Sequence, residues 1–256
     1  MTDSDYRTPE NQSFWLAQRL PGLFFYARII LVVLAAARRC SKNTYTIDKI
    51  IAGSSSVLKT LERIGTDVLV ENMPAYIDLK APCVFVANHM SALEAFVLPY
   101  FIMPYRKINF VVKKSLTEYP FLKHAINSLH PIVVGRRNPR KDLRAVLDQG
   151  FHCLKQNISV LVFPQTTRSP RFDPMQFNTI GVKLAIKSRL PIVPIALKTD
   201  VWGNGRRLKD FGRIDPSKPV RVAFGNPIHV IGNGKQAHQE ILTFIGDKLR
   251  EWAQPA

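Results

Sequence analysis

The stretch VFVANHMSALEAF, residues 84–96, changes periodicity within thirteen positions. Val84-Phe85-Val86-Ala87 is an unbroken apolar run, as a strand shows when both faces of its sheet are covered. Asn88 and His89 end the run, and Ser91-Ala92-Leu93-Glu94 opens a helical pattern. Two readings of that opening compete. Ser91 and Glu94 have the S-x-x-E spacing of a capping box, in which two side chains satisfy free N–H groups at a helix start. His89 and Glu94, five positions apart, also suit a general base and the carboxylate that holds its tautomer. Spacing alone leaves both open.

Outward from this stretch, the same alternation recurs from Asp67 onward. DVLVEN, CVFVANH, INFVVK, PIVVGR, SVLVFP, PIVPIALK and VRVAFG read as strands. Residues 91–102, 119–129, 139–156, 178–189 and 235–252 carry helical patterns between and after them. Strands alternating with helices predict an α/β fold, a largely parallel sheet with helices on both faces. Ligands in such sheets sit where strands end and loops begin, which is where His89 falls. Pro191 and Pro194 within LPIVPIAL predict an edge strand or a bulge, a wall of the site without chemistry of its own. VWGNGRRLKDFGRIDPSKP, residues 201–219, reads as a mobile surface loop.

The formal net charge is +17, divided as +4 over residues 1–66 and +13 over residues 67–256. Such a field favours anionic partners: lipid headgroups, phosphorylated substrates or nucleic acid. No helix-turn-helix, zinc, RRM or KH signature accompanies the charge, so nucleic acid is not an expected partner. A non-catalytic basic binder of anionic membranes or nucleic acid is the alternative from a different functional class. Cys40, Cys83 and Cys153 are scattered and form no C-x-x-C, so neither a disulfide framework nor a metal site is expected. Free thiols fit a cytosol-facing location.

The N-terminal segment PGLFFYARIILVVLAAARR, residues 21–39, has sixteen residues between Pro21 and Arg38, with Arg28 among them. A spanning helix needs about 20 apolar residues. The leader before it is not positive, unlike that of a signal peptide. The segment therefore predicts a helix dipping into one leaflet, with Trp15 and Tyr26 near the interface and Arg38-Arg39 at the headgroups. A second helical pattern over residues 45–64 brings Ile47, Ile50, Ile51, Val57, Leu58 and Leu61 to near-helical spacing. The two are expected to form a membrane-associated helix pair within residues 1–66, ahead of an α/β domain over residues 67–256.

Two further stretches carry polar chemistry at predicted strand ends. FPQTTRSP, residues 163–170, offers Gln165, Thr166, Thr167, Ser169 and the guanidinium of Arg168, whose fork of donors matches a phosphate dianion. A polar turn is the plain alternative. PIVVGRRNPRKDLR, residues 131–144, clusters Arg136, Arg137, Arg140, Lys141 and Arg144. There Gly135 suggests close approach of a ligand or backbone, and Arg136 and Arg137 a phosphate grip. A solvated helix face serves equally for the rest.

In this order and spacing the stretches resemble the glycerolipid acyltransferase family, whose best-known members are 1-acylglycerol-3-phosphate acyltransferases of the PlsC type. The family shows N-H-x4-D, a G-x-x-F-x-x-R-like segment, F-P-E-G-T-R-S and a V-P-[IV] strand. This chain has N-H-M-S-A-L-E at 88–94, V-V-G-R-R at 133–137, F-P-Q-T-T-R-S at 163–169 and I-V-P-I-A-L at 192–197. The resemblance implies that His89 deprotonates the sn-2 hydroxyl of a lysophospholipid, lysophosphatidic acid above all, and that Glu94 orients His89. The hydroxyl then attacks an acyl thioester on coenzyme A or acyl carrier protein. Arg168, the Gln165–Thr167 turn and Arg137 would hold the acceptor's phosphate, with Asn88, Gly135, Arg136 and Ser169 alongside as substrate-contacting candidates. The resemblance implies no metal and no cofactor beyond the acyl donor, and a membrane-associated location on the cytoplasmic face.

The chain departs from the pattern at four positions. Glu94 stands for Asp, one methylene longer. Gln165 replaces Glu and removes a negative charge. Thr166 replaces Gly, and Arg136 stands where an apolar residue is expected. These changes leave open a different lysolipid acceptor, as in phospholipid remodelling.

Overall fold

A computed structural model describes residues 5–254 apart from 11, 43, 120, 121, 166, 206 and 207. Runs of branched apolar residues between polar turns become strands. Among the described residues these are β1 (Tyr6–Arg7), β2 (Val68–Glu71), β3 (Val84–Ala87), β4 (Ile108–Lys113), β5 (Ile132–Val134), β6 (Ser159–Val162), β7 (Ile192–Lys198) and β8 (Val220–Phe224). They form one sheet in the order β1-β2-β8-β7-β3-β6-β4-β5. The five strands β7, β3, β6, β4 and β5 run parallel to one another. β2 and β8 run parallel as a pair, β8 lies antiparallel to β7, and β1 lies antiparallel to β2. The sheet is mixed and mostly parallel. The two-residue β1 is too short for any periodicity to announce it.

Ten helices accompany the sheet among the described residues: α1 (Trp15–Arg19), α2 (Pro21–Ser41), α3 (Ile47–Arg63), α4 (Pro74–Ile77), α5 (Glu94–Ile102), α6 (Lys114–Thr117), α7 (Leu122–Ser128), α8 (Pro139–Lys155), α9 (Ile180–Ser188) and α10 (Lys235–Glu251). Strand alternation divides the core in two. Phe85, Ala87, Val193, Ile195 and Leu197 face one way and pack with Leu58 and Leu61 of α3, Val97 and Phe101 of α5 and Phe25 of α2. Val84, Val86, Ile192 and Ala196 face the other way, toward Val146 of α8, Val182 of α9 and Ile241 of α10.

The expected membrane-associated helix pair is corrected. α2 has 21 residues and is long and apolar enough to cross a membrane by length and composition, longer than the stretch between Pro21 and Arg38 implies. It buries little more than Phe25 and Ala36, while Leu23, Ile30 and Leu31 are exposed. α3 is different. It is amphipathic, and its apolar stripe, Val57, Leu58 and Leu61, is spent on the sheet-facing core and α5. At about 1.5–3 kcal/mol per fully buried side chain, that stripe holds α3 to the protein and leaves lipid little to compete for. Among the described residues there is thus one N-terminal apolar helix of membrane-spanning length.

Pro191 precedes β7, and Pro194 within it falls elsewhere than expected. β7 is central, between β8 and β3. Pro194 is tolerated because the donor it lacks falls where β8 has ended. Gly225, one residue beyond β8, donates to the Pro194 carbonyl (2.8 Å), and no return bond is needed there.

α9 lies so close to the sheet that a Cβ at Gly181 would stand 2.5 Å from Val86 Cγ2 and 3.0 Å from Val162 Cγ2. Gly181→Ala should therefore lift α9 off β3 and β6 and cost about 1–3 kcal/mol. Urea unfolding measures this; an unchanged midpoint would show that the layer yields freely.

Candidate active site

β3, β5, β6 and β7 deliver their following residues to one edge of the sheet, because they run parallel. His89 follows β3, Gly135 and Arg136 follow β5, the Gln165–Ser169 turn follows β6, and Thr199 follows β7.

The chain between His89 and α5 is a tight turn, and the helix begins at Glu94 rather than at Ser91. Glu94 itself folds back. Its Oε1 accepts from the backbone N–H of Met90 (2.7 Å) and of Ser91 (3.0 Å). Oε1 also accepts from Thr199 Oγ1 (2.7 Å), whose hydroxyl in turn accepts from Ser91 Oγ (3.1 Å). The other oxygen, Oε2, pairs with His89 Nδ1. The capping bond and the histidine pair therefore coexist, one on each carboxylate oxygen. Ser91 Oγ completes the turn by accepting from the N–H of Leu93 (3.1 Å).

Glu94 is fully buried, while the His89 side chain keeps 20% of its surface exposed. With Nδ1 taken by Glu94, Nε2 on the opposite edge of the ring is the nitrogen left for a substrate proton. Phe163 stacks on the imidazole face, with ring centroids 4.4 Å apart. The backbone of His89 is held on both sides: its N–H donates to Gln165 Oε1 (2.6 Å) and its carbonyl accepts from the N–H of Ser169 (3.0 Å). The F-P-Q-T-T-R-S turn thus clamps the histidine in register.

Several candidates occupy positions other than their sequence pattern suggests. Asn88, expected among substrate-contacting residues, is buried, and its amide is spent on Leu197, donating to its carbonyl and accepting from its N–H (both 2.8 Å). It extends the β3–β7 ladder with a side chain. Gln165 is also buried and commits its carbonyl to His89, work for which a neutral amide suffices. Gly135 needs no special space, since a Cβ there would meet only Asp142 Oδ1 at 3.8 Å. The left-handed backbone comes one residue later, at Arg136 with φ 58°. The Asp142 carboxylate fixes that bend by accepting from the N–H of Gly135 and of Arg136 (2.8 Å each). Arg137, Arg140 and Arg144 are exposed, and Thr166 lies outside the described residues.

Arg136 and Arg168 come close enough to sense each other's charge. Burial of its guanidinium holds the Arg136 pKa below the ordinary arginine value; the Asp142 carboxylate opposes the shift and the Arg168 charge adds to it. Arg168 Nη2 donates to Asp210 Oδ1 (2.6 Å), and Lys209 Nζ donates to Thr167 Oγ1 (2.8 Å). Both partners come from residues 201–219, read from sequence as a mobile loop. Its base is ordered: Val201, Trp202 and Ile214 are buried, Gly203 donates to the Arg213 carbonyl (3.0 Å), and Asn204 Nδ2 donates to the Met90 carbonyl (2.9 Å). Among the described residues no three His, Cys, Asp or Glu side chains converge as metal ligands do.

Thr199, Asp142, Phe163 and Asp210 are the site residues that sequence reasoning passes over. Phe163 and Asp142 sit inside quoted motifs, whereas nothing local marks Thr199, 105 residues beyond Glu94.

Residues 66–198 match the family described as Acyltransferase. Over 230 residues the chain is 30% identical to the 1-acyl-sn-glycerol-3-phosphate acyltransferase of Pseudomonas aeruginosa, covering 90% of this chain and 78% of that protein. The chain belongs to the acyltransferase family. This acyltransferase is also 30% identical over 152 residues to the 1-acyl-sn-glycerol-3-phosphate acyltransferase of Limnanthes alba, covering 59% of the chain and 51% of that protein. The crystal structure of the 1-acyl-sn-glycerophosphate (LPA) acyltransferase PlsC from Thermotoga maritima superposes with a TM-score of 0.66 at 19% identity, over 94% of this chain and 98% of that one. At that identity the likeness is one of fold. The match begins at residue 66, one residue before β-rich patterning starts in the sequence, and ends at the last residue of β7.

The Thr199 hydroxyl gives the acyltransferase a test of its buried network. Thr199→Val keeps the shape but leaves Glu94 and Ser91 each one partner short. Stability should fall by about 1–3 kcal/mol, and Thr199→Ser should recover most of it. Denaturant titration of the three proteins measures both effects.

Proposed function

We propose that the protein moves a fatty acyl group from a thioester, on coenzyme A or acyl carrier protein, to the sn-2 hydroxyl of lysophosphatidic acid, giving phosphatidic acid. The observation that carries this reading is the His89–Glu94 pair, with the carboxylate immobilised by three donors and the imidazole at the surface. In the proposed reaction His89 Nε2 takes the hydroxyl proton as the oxygen attacks the thioester carbonyl. The tetrahedral intermediate collapses, the C–S bond breaks, and the departing thiolate takes the proton back from the imidazolium. Glu94 keeps the proton of neutral His89 on Nδ1 and stabilises the imidazolium. Gln165 and Ser169 position the histidine from behind. Arg168 and Arg136 hold the acceptor's phosphate, with Arg137 on the approach.

The reading also places the work at a membrane surface facing the cytoplasm. It is supported by the exposed apolar side chains of Leu20, Leu23, Ile30 and Leu31, by the exposed Trp15 beside Arg19, and by the +17 charge that favours anionic lipid. We assign membrane seating to α2 and chemistry to residues 67–256, although α2 and α3 share one core with the sheet.

Purified protein given an acyl thioester and lysophosphatidic acid should release free thiol, and His89→Ala should abolish the release. Glu94→Gln can still accept the Met90, Ser91 and Thr199 bonds, so the fold should hold. Turnover should nevertheless fall by a factor on the order of 10²–10⁴, since an amide cannot stabilise the imidazolium. Full activity in either variant would reject the assigned role. Leu23→Asp combined with Ile30→Asp should cut flotation with anionic vesicles; unchanged flotation would remove α2 as the seat.

A further inference from the structure

Two exposed apolar side chains lie at the tip of the β7–β8 connection, with no place in either half of the core: Leu208 is 62% exposed and Phe211 56%. The Phe211 N–H donates to the Leu208 carbonyl (3.0 Å), closing a turn whose ends stand within about 7 Å of each other. We propose that this turn is a second lipid-contacting element, which enters the same anionic bilayer surface as α2 and holds Thr167 and Arg168 at headgroup level. The inference rests on the membrane seating of α2 proposed above.

Three observations carry it. The turn continues the exposed apolar face of α2. The Phe211 ring stacks on Tyr26 with centroids 5.7 Å apart, and the Tyr26 hydroxyl donates to the Gly212 carbonyl (2.5 Å). Leu23 lies three residues before Tyr26 and Ile30 four after it, so the exposed side chains of both share that face. Secondly, the turn is oriented. Its two middle residues spend their polar groups on the site: Lys209 Nζ donates to Thr167 Oγ1 (2.8 Å), and Asp210 Oδ1 accepts from Arg168 Nη2 (2.6 Å). The apolar corners are left to the outside, where they join the α2 face in one patch of the kind that marks an interaction surface. A bilayer suits it, since the apolar face of an interfacial element settles about 5–10 Å into the boundary between headgroups and acyl chains. Finally, the charge selects the occupant. Exposed Lys209 and Arg213 rim the apolar pair, which matches anionic headgroups. A second copy of this chain would bring the same cations and the same +17 charge against them.

The test uses the full chain. Cys83 and Cys153 are buried, so Cys40→Ser removes the one accessible thiol. In that background Leu208→Cys, Leu23→Cys and Ile231→Cys each carry one polarity-sensitive fluorophore. Vesicles of phosphatidylcholine and phosphatidylglycerol, with or without nitroxide-labelled lipid, are the probe. Labels at 208 and 23 should brighten on the vesicles and lose about half of their emission to the nitroxide. Ile231 is also exposed, but it follows β8, which is antiparallel to β7, so it leaves the sheet at the opposite edge and its label should do neither. Quenching at 23 without quenching at 208 overturns the inference and leaves the α2 seat standing. Quenching at neither overturns both, and quenching at 208 alone keeps the turn and removes α2. Brightening of the 208 label with rising protein concentration and no lipid would hand the turn to a second copy and overturn the inference. In unlabelled protein, Leu208→Asn should weaken vesicle binding about tenfold, while Leu208→Trp should hold it. Binding by Leu208→Asn within about twofold of wild type overturns the inference. Both arms read binding alone, so failure of the proposed acyl transfer leaves them intact.

Discussion

A carboxylate with none of its side chain exposed must be paired or pay several kcal/mol for lost hydration. Glu94 meets that demand by gathering partners from separate parts of the chain: the Met90 and Ser91 amides of its own turn, the Thr199 hydroxyl beyond β7, and the His89 ring after β3. Each partner is fixed by its bond to Glu94, and the strand ends that carry them are fixed with it. The histidine's orientation is therefore tied to where β3 and β7 stop. One acid thus serves the turn with one oxygen and the imidazole with the other.

The strand order makes this arrangement possible. β6 lies between β3 and β4, so the turn after β6 emerges beside the turn after β3. That adjacency lets Gln165 and Ser169 grip both backbone polar groups of His89. Asn88 performs the matching task on the β7 side, giving Leu197 the two bonds that β3, already ended, cannot. A histidine flanked by two such clamps has little freedom to drift, which is what the proposed proton transfer requires.

The connection between β7 and β8 links this chemistry to α2. Trp202 packs edge-on against Phe25 and Tyr26 of α2, and the same connection reaches the catalytic edge through Asn204, Lys209 and Asp210. Its glycines permit the close path: a Cβ at Gly212 would fall 1.7 Å from the Gly203 carbonyl oxygen. Helix and site are thus joined by packed aromatic rings and a ladder of backbone bonds rather than by a free tether.

Much of this was legible from composition and periodicity. The seven apolar runs from DVLVEN to VRVAFG all became strands, because each has more branched apolar side chains than a helix stripe can bury on one side. The alternation along β3 sorted Phe85 from Val86 and so placed helices on both faces. His89 and Glu94 were visible as candidates, but their spacing left the capping and pairing readings open until the structure put one on each carboxylate oxygen. Relations across the sheet were not legible. Nothing near Thr199 or Asp210 marks them. Asn88 and Gln165 looked like ligands for substrate until the structure put both ends of the Asn88 amide on Leu197 and the Gln165 carbonyl on the His89 N–H. The fate of α3 was hidden for a similar reason: an amphipathic stripe shows that something apolar will cover it, not whether that is lipid or α5. Sequence by itself determined which segments are strands, which are helices and which residues can do chemistry, because those follow from local periodicity and functional groups. Tertiary structure alone decided which strand ends meet and what each buried polar group bonds to, because those depend on strand order, which no local pattern encodes.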